Sequence, residues 1–180
     1  MRKTRSNLVL IGMPGSGKST VGVILAKQTS RDFIDTDVLI QSSEGRSLQD
    51  IVDRDGYMAL RRIEEETLLR ISFRNHVIAT GGSAVYSEAA MSHLKSDGFV
   101  VFLDADLPTL KTRIHDFGTR GLAKPAGQSL DDLYTERLPL YRKNADLVVE
   151  CGNLSHEEVC TRIIEELGSR PLTLSFGENT

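Results

Sequence analysis

The chain has no run of 18 apolar residues, only two cysteines, no large excess of either charge, and no internal repeat or low-complexity segment in its 180 residues. Each shortage closes off a class of function. Without a long apolar run there is no membrane-spanning helix. The first residues, Met1-Arg2-Lys3-Thr4-Arg5-Ser6, lead into a strand-like segment without a signal-peptide core, so a cytoplasmic location is expected. A formal charge of −3, with 26% charged and 39% hydrophobic residues, is ordinary for a globular chain and gives no general pull toward nucleic acid or anionic lipid. Cys151 and Cys160, nine positions apart, show no CxxC spacing and read as packing thiols. His76, His93, His115 and His156 show no ligand spacing and receive no function. No unexplained apolar stripe calls for a partner copy, so a monomer is expected.

Val/Ile/Leu-rich runs at 7–11, 33–34, 76–79, 99–103 and 147–149 alternate with helix-length amphipathic stretches. That order predicts an α/β domain over 1–168, with a parallel sheet covered on both faces. Ser47-Leu48-Gln49-Asp50 and Ser155-His156-Glu157-Glu158 fit the capping box, and Asp106 with Pro108 suits a first helical turn. Gly168 and Pro171 are expected to close the last helix, leaving 169–180 as a flexible tail. Residues 37–74 read as several helical pieces broken near Gly45-Arg46 and Asp55-Gly56. They are too long for a plain crossover and suit an insertion that covers a substrate. Residues 116–128, with three glycines and one proline, suit a mobile lid.

Gly12-Met13-Pro14-Gly15-Ser16-Gly17-Lys18-Ser19-Thr20 (GMPGSGKST) satisfies G-x-x-x-x-G-K-[ST] between a buried-type strand and an amphipathic helix. Backbone N–H groups at Gly15, Ser16, Gly17 and onward to Thr20 can converge on phosphate oxygens, helped by the helix dipole. Lys18 then reaches the β- and γ-phosphates and Ser19 ligates Mg²⁺. The guanine-reading patterns are absent in usable form: Asp53-Arg54-Asp55-Gly56 follows a helical pattern, and Lys143-Asn144-Ala145-Asp146 only scrambles N-K-x-D. ATP is therefore the expected donor.

Asp35 and Asp37 are spaced i, i+2 at the end of a strand, and share a face if the extended conformation persists. One carboxylate can then serve Mg²⁺ and the other an acceptor hydroxyl, although either could instead cap the helix that starts near Val38. Arg61 lies three residues before Glu64, whose carboxylate can hold the guanidinium on a helix. Arg137 precedes Pro139, which marks a bend near a helix end. Individually such arginines are more often solvated charges, but with Arg120 in the lid they can surround an anion, because guanidinium binds carboxylate bidentately. A small hydroxy acid would use every part.

The phosphate loop, Asp35-Thr36-Asp37, Arg61-x-x-Glu64, Ala79-Thr80-Gly81-Gly82, Leu103-Asp104-Ala105, Arg120-x-Leu122 and Arg137-x-Pro139-Leu140-Tyr141 occur in the order and at about the spacing of the shikimate kinases, which the chain resembles from residue 7 to about 168. The resemblance implies a three-layer P-loop kinase fold of the nucleoside monophosphate kinase type, with a five-stranded parallel sheet ordered 2-3-1-4-5, a lid and a helical substrate-binding insertion. It implies transfer of the ATP γ-phosphoryl group to the 3-hydroxyl of shikimate, on the route to chorismate and aromatic amino acids. By position it gives Lys18 and Ser19 to phosphate and Mg²⁺, Asp35 to Mg²⁺ through water, and Asp37 to the reacting hydroxyl. Arg61 and Arg137 grip the carboxylate, Gly81 and Gly82 present N–H groups to the ring, Arg113 lies on adenine, and Arg120 stabilises the moving charge. The chain departs from the pattern at Leu60, where the family carries an aromatic ring, at Ser83, where it carries a third glycine, and at Gly121-Leu122-Ala123, where it reads Pro-Leu-Leu. Ala84-Val85 and Tyr86 crowd the turn that Ser83 enters. Two alternatives follow: a kinase of a different hydroxy acid, or a catalytically weak nucleotide-binding regulatory module.

Overall fold

Continuous apolar runs form strands buried on both faces, and here they build one parallel five-stranded sheet. The structure, a computed structural model, describes residues 5–115, 118 and 121–169. Arg120, three other residues of the expected lid, Pro171 and the tail from residue 170 lie outside them. The strands β1 (Asn7–Ile11), β2 (Asp32–Asp35), β3 (His76–Ala79), β4 (Gly98–Asp104) and β5 (Leu147–Glu150) stand in the order β2-β3-β1-β4-β5. β1 is central and wholly buried, with Leu8 opposite Val77 on one side and Phe99 on the other. Because β3 and β4 flank β1, the chain changes direction at β1, and the loops after β1, β2 and β3 open side by side at the strands' carboxyl ends, where open α/β sheets bind ligands.

Helices α1 (Lys18–Gln28), α5 (Glu88–Asp97), α6 (Leu107–Arg113), α7 (Leu130–Asn144) and α8 (His156–Ser169) flank the sheet. The insertion consists of α2 (Thr36–Glu44), α3 (Leu48–Asp55) and α4 (Tyr57–Leu69), interrupted by Gly45 at φ 64° and Gly56 at φ 85°. Both expected capping boxes form, Ser47 with Asp50 and Ser155 with Glu158. The insertion has a small core of its own, in which Leu60 packs with Ile40, Ile51 and Ala123.

Three local expectations are corrected. α8 continues through Gly168 to Ser169 instead of ending at the glycine. α7 runs on past Pro139 to Asn144, so the proline lies inside the helix. The extended conformation stops at Asp35, so Asp37 occupies the first turn of α2 and the two carboxylates do not share a strand face.

Candidate active site

The phosphate loop follows β1 and ends at Gly17, whose φ of 94° is left-handed and which starts α1 without a side-chain cap. Lys18 is folded back over the loop, its Nζ donating to the carbonyls of Gly12 (2.8 Å) and Met13 (2.9 Å). The Ser16 hydroxyl is buried and has no hydrogen-bond partner in the protein. A buried polar atom without a partner is costly unless a ligand satisfies it; Ser16 itself is not on the wall of the cleft described below.

Asp35 divides its two oxygens between two tasks. Oδ1 caps α2 by accepting from the N–H groups of Asp37 (2.9 Å) and Val38 (3.4 Å). Oδ2 accepts from the Ser19 hydroxyl at 2.5 Å. These paired hard oxygens fit Mg²⁺, which takes one or two protein oxygens and fills the remainder with phosphate and water.

A cleft of about 310 Å³ collects Gly15, Gly17, Lys18, Ser19, Thr20, Asp37, Gly81, Gly82, Arg113 and Arg137 at its walls. These are ten of the residues the sequence assigned to function. Leu60, Glu64, Ser83 and His156 also line it. The Gly81 N–H already donates to Thr36 Oγ1 at 3.1 Å, so a direct N–H contact from Gly81 to substrate requires that bond to yield. Ser83 donates its hydroxyl to Glu64 Oε2.

Arg61 is not on the wall of this cleft. It borders a neighbouring hollow of about 440 Å³ between α4 and the turn that follows β3. It also does not meet Glu64 as the i, i+3 spacing suggested. Its Nε and Nη2 instead donate to the Ala123 carbonyl, both at 3.2 Å, and Arg137 Nη2 donates to the same oxygen at 3.1 Å. Two cationic side chains from different helices thus converge on one acceptor.

Glu64 is the buried group that sequence reasoning misjudged. It is 4% exposed, and its Oε1 has no hydrogen-bond partner. Burial, reinforced by the Asp37 charge, pushes its pKa up to about 7 against the pull of Ser83, Arg137 and Lys18. Between about pH 4.5 and 7 the folded protein therefore retains a proton that the unfolded chain has lost, so stability falls as pH rises through this window. We expect that contribution to reach about 3 kcal/mol above pH 7, from 1.36 kcal/mol per pKa unit, and Glu64→Gln to remove it. Urea unfolding at pH 5 and pH 8 checks this; parallel pH dependences for the two proteins would rule out the shifted carboxyl.

A P-loop, a cleft at the carboxyl ends of a 2-3-1-4-5 parallel sheet and a helical insertion over that cleft define an ATP-dependent small-molecule kinase of the nucleoside monophosphate kinase type. The shikimate kinase family model matches residues 14–168. Shikimate kinase 2 of Enterobacter sp. (strain 638) is 34% identical, over 89% of this chain and 94% of its own length. The structure titled shikimate kinase from Acinetobacter baumannii in complex with shikimate superimposes with a TM-score of 0.86 at 30% identity, covering 95% of this chain and 97% of that one. That of shikimate kinase from Aquifex aeolicus gives 0.77 at 35% identity, covering 90% and 96%. The chain belongs to the shikimate kinase family. It is an ATP-dependent kinase of shikimate; these relatives do not favour a different acceptor or a regulatory module.

Proposed function

We propose that the cleft divides the transfer of the ATP γ-phosphoryl group among named residues, with Asp37 at the 3-hydroxyl of shikimate and the Arg61–Arg137 pair at its carboxylate. The convergence of both guanidiniums on the Ala123 carbonyl carries this reading. Donors that meet on a neutral carbonyl oxygen bind a carboxylate oxygen more strongly, because the acceptor is charged. Asp37 accepts a hydrogen bond from the hydroxyl and takes its proton as the new O–P bond forms. Lys18 moves from the Gly12 and Met13 carbonyls to the phosphates and follows the transferred charge while ADP leaves. Ser19 and Asp35 would hold Mg²⁺, which neutralises phosphate charge when bound. Arg113 and Gly82 line the cleft and are assigned to the base and to the acceptor by resemblance, as is Arg120 to the transferring phosphoryl group. We further read the protein as a cytoplasmic monomer with no nucleic-acid or membrane partner. The modest net charge gives no general pull toward nucleic acid or anionic lipid.

Arg137→Ala tests the carboxylate role. Arg137 is 1% exposed and lies against Gly82, so its loss removes a charge at a fixed point. We expect the shikimate KM to rise about 100-fold, equivalent to about 3 kcal/mol, with the ATP KM little changed. An unchanged shikimate KM would show that the carboxylate binds elsewhere.

A further inference from the structure

Two guanidiniums aimed at one oxygen repel each other, and something must hold them there. Among the described residues neither guanidinium stands within ion-pair distance of a carboxylate, although the Glu136 charge acts on both, and Glu64, the expected partner of Arg61, is engaged by Ser83. Leu60, the neighbour of Arg61, lies in the insertion's own core and offers no ring. The common element is Tyr86, at the end of a short 3₁₀ turn (Ala84–Tyr86) after β3. The Arg61 Cζ lies 3.7 Å from the centre of the Tyr86 ring, and the Arg137 Cζ lies 5.3 Å from it. Arg137 Nε also donates to the Tyr86 hydroxyl at 3.2 Å, and that hydroxyl donates to Glu136 Oε1. One side chain therefore touches both cations, with its π face on Arg61 and its oxygen on Arg137, and donates its own hydrogen bond to a carboxylate.

We propose that Tyr86 is the positioning residue of the acceptor's anionic subsite: its ring and hydroxyl hold Arg61 and Arg137 so that their donors meet at the point where the substrate carboxylate binds. The proposal rests on the carboxylate role of the two arginines. Cation–π attraction offsets the repulsion between the guanidiniums and restricts the rotamers of the more exposed one, so the carboxylate meets donors that are already oriented. Burial and the hydrogen bond to Glu136 raise the phenol's pKa above the ordinary tyrosine value, so it remains a neutral donor to Glu136 while accepting from Arg137. Tyr86 itself contacts no reacting atom in this scheme. It acts through the arginines alone, so its effect should depend on the charge of the acceptor.

The test compares steady-state kinetics of the wild type, Tyr86→Leu, Tyr86→Ala and Tyr86→Phe with shikimate and with its uncharged methyl ester. Tyr86→Leu and Tyr86→Ala are expected to raise the shikimate KM about tenfold or more, with the ATP KM and the ester KM unchanged. Tyr86→Phe, which keeps the ring and loses the oxygen, should fall between them and the wild type. Thermal unfolding shows whether Tyr86→Ala folds, and Tyr86→Leu preserves most of the apolar volume if it does not. Equal KM increases for acid and ester would show that Tyr86 merely fills the pocket wall, and an unchanged shikimate KM in Tyr86→Leu would show that the arginines hold themselves; either result overturns the proposal. Arg137→Ala measured in parallel separates the two levels. If it too spares the shikimate KM, the carboxylate subsite is misplaced; if it raises the KM while the Tyr86 variants do not, only the positioning role fails.

Discussion

Lys18→Ala is expected to lower the turnover number by at least about a thousandfold, the scale for removing a pre-aimed charge at the developing transition state. Lys18 is buried to 9% exposure and already folded over the phosphate loop on the Gly12 and Met13 carbonyls. These neutral acceptors hold the ammonium over the phosphate loop, so under the proposed role little reorganisation is needed when phosphate oxygens replace them. Phosphoryl transfer proceeds through a loose transition state with charge spread over the equatorial oxygens, and positive charge at fixed positions is the protein's main contribution. Alanine removes that charge while leaving the loop backbone, and hence part of the nucleotide affinity, in place. Single-turnover transfer to shikimate at saturating ATP separates the two effects. A rate within tenfold of the wild type would mean that another cation, such as Arg120 or Arg113, carries the moving charge.

The sheet and the phosphate loop are legible in the sequence because their causes are local. A strand buried on both faces must be a continuous apolar run, and Asn7–Ile11 and Gly98–Asp104 are such runs. The insertion's breaks are legible because Gly45 and Gly56 adopt positive φ. Partnerships between side chains are less legible, since they are decided by elements distant in the chain. Glu64 could be paired with Arg61 on helical spacing alone; its actual partner, Ser83, arrives 19 residues later on the turn after β3. Arg137 reaches the cleft because α7 is held by Tyr141, which stacks on Phe102 with ring centres 5.1 Å apart and donates to the Gly82 carbonyl at 2.7 Å. No spacing rule announces that Tyr86 will meet both arginines there.

Gly121 shows the same limit from the other side. Gly121 stands where the family pattern carries proline. In the structure its φ is 63°, which the proline ring forbids, and its N–H donates to Gln49 Oε1 at 2.7 Å. A Cβ there would stand 2.5 Å from the Gln49 backbone nitrogen, so the glycine allows this segment to press closely on the start of α3. Ala123, two residues on, is thereby buried among Ile40, Ile51 and Leu60, with its carbonyl under the two arginines.

Asp37→Asn is expected to abolish most turnover, by about 10²- to 10⁴-fold, while ADP and ATP binding stay intact. The substitution preserves shape but supplies an amide that cannot take the hydroxyl proton. Asp35 cannot substitute, since its oxygens are committed to the cap of α2 and to Ser19. Asp37 sits in the first turn of α2, where the helix dipole favours a carboxylate, and it is packed so closely that a Cβ on Gly81 would approach its Oδ1 to 2.7 Å. The backbone after β3 therefore closely limits where the Asp37 carboxylate can lie. The same substitution has a second readout, independent of chemistry. The Asp37 charge is one of the causes that raise the Glu64 pKa, so removing it lowers that pKa and narrows the window over which stability falls with rising pH. Loss of turnover together with a narrowed window places a charged Asp37 between the hydroxyl and Glu64. Retained turnover would exclude Asp37 as the base, and an unchanged window would show that burial alone sets the proton on Glu64.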